Sequence, residues 1–133
     1  YFIHPISKQV DEIYTERENR IVRIDLSTLN VEDVGPDRGH IRRVPPGVFY
    51  YVEFETWPPR NTDKWKKLYR LQGGKLIFLK QFDFDDAGYG DVEVDGNGVI
   101  LWQHKIVNRN FSKITKRFFA FPDLRELRFK GAD

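Results

Sequence analysis

A phosphodiester can be hydrolysed without a metal when one side chain takes a proton, a second gives one and a cation holds the phosphate. His40, Glu53, Glu55, Arg70 and His104 supply those types. Glu53 and Glu55 stand two residues apart, so on a strand they share a face, but no spacing brings either histidine to them. No GxSxG elbow, HExxH helix or cysteine supports serine, zinc-protease or thiol chemistry. A metal-independent hydrolase is therefore an alternative reading, and the sequence does not decide whether the chain is an enzyme.

A second set of residues could hold a hard cation. Asp83, Asp85, Asp86, Asp91, Glu93 and Asp95 offer carboxylate oxygens of the kind calcium and magnesium take. The EF-hand spacing fails, because a loop starting at Asp83 puts Ala87 at position five and Val94 at position twelve. A solvated acidic hairpin is the better reading, with no metal and no cofactor expected.

A third set mixes cations with aromatic rings. Arg42, Arg43, Arg60, Lys64, Lys66, Lys67 and Arg70 lie among Tyr50, Tyr51, Trp57, Trp65 and Tyr69, a combination that suits phosphate contacts and base stacking. Lys113, Lys116 and Arg117 would add a patch on a helix. Nucleic-acid binding is the other alternative, although no zinc finger, Walker A loop or compact RNA-binding motif accompanies it. The preferred reading is a non-enzymatic protein-binding or assembly module, with Trp57, Tyr89 and Trp102 as anchors and a protein partner or self-association favoured. Tyr89 stands out because Gly88 and Gly90 flank it.

The elements that must carry these residues begin with a hairpin. Trp65 to Phe82 is two runs of strand-forming residues joined at Gly73-Gly74, and paired glycines suit the positive φ angles of a tight primed turn. The Trp65, Lys67, Tyr69 and Leu71 side is the expected core face. The second strand is apolar on both sides, so a helix or a partner should cover what remains. Residues 20–26, 30–34, 40–44 and 48–57 read as further strands, and Asp95-Gly96-Asn97-Gly98 turns residues 91–95 into 99–107 as a second hairpin. Ile6, Val10, Ile13 and Tyr14 recur at helical spacing, predicting an amphipathic helix over residues 5–17. Asn110 is placed to cap a short helix with Phe111, Ile114 and Phe118 on one side. Residues 123–130 fit either a helical turn or a final strand. The expected fold is α+β: an antiparallel or mixed sheet built from hairpins, packed against an N-terminal amphipathic helix and a short C-terminal helix.

The segment WKKLYRLQGGKLIFLK, sixteen residues from Trp65 to Lys80, resembles the second and third strands of pleckstrin-homology domains. That resemblance implies a basic hairpin beside a phosphoinositide site and a long C-terminal amphipathic helix closing a barrel. The proline-rich loop before Trp65 and the want of a clear long helix after Trp102 depart from the pattern, so lipid binding is not carried over.

At 133 residues the chain is expected to be one domain, 1–133, large enough to bury a core without disulfides or a structural metal. It contains neither cysteine nor methionine and starts at Tyr1, which reads as a trimmed or processed segment. No apolar run approaches bilayer length, so a soluble protein is expected, of undetermined compartment. The net charge of +2 hides alternation: −3 over residues 1–34, +6 over 35–80, −6 over 81–98 and +5 over 99–133. Such asymmetry steers a partner only if folding gathers like charges on one face.

Overall fold

The computed structural model describes residues 11–60, 63–84 and 89–128, apart from the side chains of Tyr89 and Ile106. Among these residues there are eleven strands and no helix. They are β1 (Glu12–Arg17), β2 (Arg20–Asp25), β3 (Val31–Pro36), β4 (Gly39–Val44), β5 (Val48–Phe54), β6 (Trp65–Gln72), β7 (Lys75–Asp83), β8 (Tyr89–Val94), β9 (Gly98–Asn108), β10 (Phe111–Ala120) and β11 (Arg125–Leu127). Consecutive strands pair into three antiparallel sheets, β1-β2-β3, β4-β5-β6-β7 and β8-β9-β10-β11. The expected α+β class is thus overturned in favour of an all-β fold.

Both expected helices fail for a local reason. Residues 5–10 of the first lie outside the described residues, but its remainder is β1, paired with β2 through a turn at Glu18 (φ 52°) and Asn19 (φ 64°). Glu-Asn lacks the glycine that announces such a primed turn. The strand also splits the supposed stripe, since adjacent residues Ile13 and Tyr14 face opposite ways; Tyr14 is buried while Ile13 is exposed. In the second case Asn108, not Asn110, makes the local cap. Its Oδ1 accepts from the Asn110 N–H at 2.8 Å, an Asx turn that folds β10 back on β9. Ile114, Thr115, Phe118 and Phe119 then sit in a strand, where β-branched and aromatic residues pack well. Three residues of the ambiguous tail form β11.

The second sheet is the middle layer. On one side Phe49, Tyr51 and Leu71 pack with Tyr14 and Ile21 of the first sheet. On the other, Tyr50, Val52, Phe54, Leu68 and Phe82 pack with Val92, Val99, Leu101 and Phe119 of the third. This is why β5 is nearly continuous in apolar residues: a strand covered on both faces has no solvent side to alternate with. It also answers what covers the second face of the Gly73-Gly74 hairpin, which is a sheet and not a helix. Leu68 is more deeply buried than Trp65, Lys67 or Tyr69, so the face expected to be core is only one of two. No helix of the described residues is long and apolar enough to cross a membrane.

The Gly73-Gly74 turn has φ values of 60° and 79°, with Gln72 paired to Lys75 across it. The first sheet grips it. The Gly73 N–H donates to the Glu12 carboxylate at 3.1 Å, and the Gly74 N–H donates to the Tyr14 hydroxyl at 2.8 Å. A side chain at position 74 would have to adopt a left-handed backbone and displace the Glu32 carboxylate. Gly74→Val is expected to cost about 2 kcal/mol, read as a lower midpoint in a urea titration; an unchanged midpoint would refute the turn's role.

Candidate functional site

The hydrolytic candidates are not brought together. On β4 and β5, Gly39 pairs with Glu53 and His40 with Val52, so His40 and Glu53 project from opposite faces of the sheet. Glu53 accepts a 2.8 Å hydrogen bond from Tyr69 on the face toward the first sheet. His40 lies on the other face, edge-on to Phe54 and Trp57. Burial, then the Arg42 charge, lowers its pKa, favouring the neutral ring. Glu55 accepts from the Lys64 N–H at 2.6 Å. Arg70 lines a separate groove with Pro46, Gly47 and Gln72, and His104 belongs to β9, where it pairs with Tyr89 and Ile114.

The acidic residues are occupied with local structure. Asp95 accepts from the Asn97 and Gly98 N–H groups at 2.7 and 3.0 Å, closing the β8–β9 turn. Asp83 accepts from Gln81, and Asp91 from Lys66 and its neighbour Val92. Glu93 faces Ile100 across the ladder, and Asp85 and Asp86 lie outside the described residues. Among the described residues no group of three or more histidine or acidic side chains could hold a metal.

Two features do gather chemistry. The first is a cleft of about 350 Å³ at the seam between the second and third sheets. Lys66 lies at its base with a side chain only 10% exposed. Its Nζ donates to the Gly90 carbonyl at 2.8 Å and to Asp91 Oδ1 at 3.3 Å, and sits 4.1 Å from the centre of the Phe54 ring. Burial pulls the ammonium pKa down and Asp91 opposes that shift. His40, Arg42 and Arg60 join it from β4 and the loop after β5, and Trp102 lines the opposite side. Trp57 leans against the rim through His40 and Phe54.

The remaining basic residues scatter. Lys67 lies over the Trp65 ring at 4.7 Å, Arg43 is 6.0 Å from Phe49, and Lys64 sits in the loop entering β6. Neighbours on a strand alternate between faces, so these cations are divided between the two sides of the second sheet and its loops.

The second feature is a projecting arm made by the distal halves of β9 and β10. From Lys105 to Arg117 every residue whose side chain is described is exposed, including Val107, Phe111 and Ile114. Lys105, Arg109, Lys113 and Lys116 carry no ion pair among the described residues, whereas Arg117 is held by Glu126 through bonds of 3.0 and 2.8 Å. No carboxylate occurs between Lys105 and Arg117. β11 pairs with residues 118–120, and among the described residues no strand pairs with the outer edge of β10 from Phe111 to Arg117. Lys113 and Lys116 therefore stand on a strand, not a helix, and sequence periodicity could not reveal which described strands lie beside it. The side chain of Tyr89 lies outside the described residues.

Two carboxyl groups meet where the first two sheets join. Asp37 is buried and accepts a 2.9 Å hydrogen bond from the Tyr51 hydroxyl, and the Glu16 side chain lies against it. A hydrogen bond between Glu16 and Asp37, then burial and the Asp37 charge, pushes the Glu16 pKa up to about 7. A carboxyl whose pKa rises on folding stabilises the fold fully below its unfolded value near 4.5 and loses that contribution as the pH climbs through about 7. Glu16 is exposed, so solvent screening holds the effect to about 1 kcal/mol. Glu16→Gln should flatten stability between pH 5 and pH 8, roughly the window of this titration, and leave the variant the more stable at the upper end. An unchanged pH profile in chemical denaturation would remove Glu16 from the account.

No protein-family model, curated protein or solved structure matches this chain.

Proposed function

We propose that the chain is a non-enzymatic protein-binding module that receives an extended acidic segment along the open edge of β10. The observation that carries this reading is the arm itself: among the described residues its outer strand edge is unpaired and its exposed cations Lys105, Arg109, Lys113 and Lys116 lack acidic partners. An open edge offers unsatisfied backbone N–H and C=O groups, and adding a strand satisfies them. Like-charged lysines on such an edge discourage pairing with a second copy of itself. They favour a partner strand of opposite sign. Val107, Phe111 and Ile114 supply apolar contact that a purely phosphate-directed surface would not need, which ranks a protein segment above a nucleic acid.

The test is a titration with a fluorescently labelled peptide of alternating glutamate and valine. Saturable binding is expected, and the pair Lys113→Glu and Lys116→Glu should weaken it about tenfold or more without moving the thermal midpoint. Binding that survives the double reversal would overturn the reading. Steeply salt-dependent binding of single-stranded DNA or RNA, with none of the peptide, would replace it with the nucleic-acid alternative.

A further inference from the structure

We infer that the cleft between the second and third sheets binds a small organic anion with a flat apolar body, its charged head held between Arg42 and Arg60. This site is distinct from the β10 edge.

Among the described residues, three cations, Arg42, Arg60 and Lys66, and two carboxylates, Asp63 and Asp91, line the cleft. Lys66 and Asp91 neutralise one another, with Lys66 further engaged by the Gly90 carbonyl and the Phe54 ring. The Asp63 carboxylate accepts from the backbone N–H groups of Thr56 and Arg60 at 3.3 and 3.2 Å and adds to the field of Asp91 at Lys66. His40 favours its neutral form. The guanidinium groups of Arg42 and Arg60 make no hydrogen bond or ion pair among the described residues, and both line the cleft, so its described cations outnumber its carboxylates by one. Arg42 sits on the same face of β4 as His40, so its position is set by a paired strand.

The walls define the rest of the ligand. Phe54 and Phe84 are buried and border the cleft alongside Trp102 and Pro59. An aromatic lining with a few convergent charges is the usual composition of a small-molecule site, and about 350 Å³ lies at the small end of the size range for such sites. It suits a single-ring molecule and is too small for a polymer. The guanidinium fork donates in bidentate fashion to either a carboxylate or a phosphate. The common chemistry is a planar hydrophobic body bearing one such group.

Calorimetric titration of the full chain with phenyl phosphate, benzoate and neutral benzyl alcohol tests this, with tryptophan fluorescence as a second readout. At least one anion should bind saturably and benzyl alcohol should not. Arg42→Gln and Arg60→Gln should each weaken the anion about tenfold or more, with the thermal midpoint retained and with binding unchanged in the doubly reversed β10 arm. Tighter binding of phenyl phosphate assigns a phosphomonoester, and tighter binding of benzoate a carboxylate. Absence of saturable binding by both anions, equal binding of the alcohol, or full affinity in the Arg42→Gln, Arg60→Gln double variant would overturn the site.

Discussion

Lys66→Ala should lower the stability of the protein by about 2 kcal/mol, because it removes the buried partner of a half-buried ion pair and both of its hydrogen bonds. Lys66 joins two layers. Its ammonium binds Gly90 and Asp91 of β8 while its stem belongs to β6. Truncation deletes both hydrogen bonds, leaves Asp91 without its counter-charge and opens space beside Phe54 and Phe84. Lys66→Met separates these contributions: the stem still fills the space, so what is then lost belongs to the charge. A urea midpoint for Lys66→Ala indistinguishable from that of the parent chain would show that the seam does not depend on this residue.

The second large effect is expected at Gly39, the first residue of β4. A Cβ there would collide with the Val52 carbonyl oxygen and would stand 2.8 Å from the Val52 carbonyl carbon and 3.0 Å from Glu53 Cα. These are backbone atoms of a strand buried on both faces, and they cannot swing aside as a surface side chain can. Gly39→Ala should therefore force β4 away from β5 at a cost of about 3 kcal/mol. That loss corresponds to a fall of roughly 10 °C in thermal midpoint for a chain of this size. The control is Gly35→Ala, where nothing lies within 4 Å of the added methyl, and its midpoint should be nearly unchanged. Equal effects at the two positions would refute the steric argument.

The hairpins were legible because their information is local. Gly73-Gly74 and Asp95-Gly96-Asn97-Gly98 announce turns, and both turns form where the residues predict. The third sheet's role was not legible, since nothing in Val92, Val99 or Leu101 says which layer they will meet. Ile13-Tyr14 and Phe111, Ile114 and Phe118 satisfy a helical period over a short stretch, yet strand pairing set by Glu18-Asn19 and Asn108 prevails. The cleft shows the same division. His40, Arg42, Arg60, Lys66 and Trp102 were each visible as candidates, but under three different chemistries. Only the register of β4 with β5 and the stacking of the third sheet collect them. The sequence pattern also could not distinguish Asp91, which neutralises Lys66, from acidic neighbours spent on turns.

The charge alternation along the chain acquires a structural meaning of the same kind. The basic stretch after residue 99 becomes the β9–β10 arm, while part of the acidic stretch before it is consumed at the seam and in the β8–β9 turn. Positive charge is therefore exposed on the arm and is not cancelled by the residues adjacent in sequence. This separation supports an acidic partner, and the open edge supports an extended one.

Amide hydrogen exchange across Phe111–Arg117, measured with and without a saturating concentration of the alternating glutamate–valine peptide, tests the proposed edge most directly. Strand addition predicts that alternate amides of this segment slow by about tenfold or more as they acquire backbone acceptors, and that the slowing disappears in the chain carrying Lys113→Glu and Lys116→Glu. Exchange in Phe111–Arg117 that stays unchanged while the peptide is bound would contradict the account.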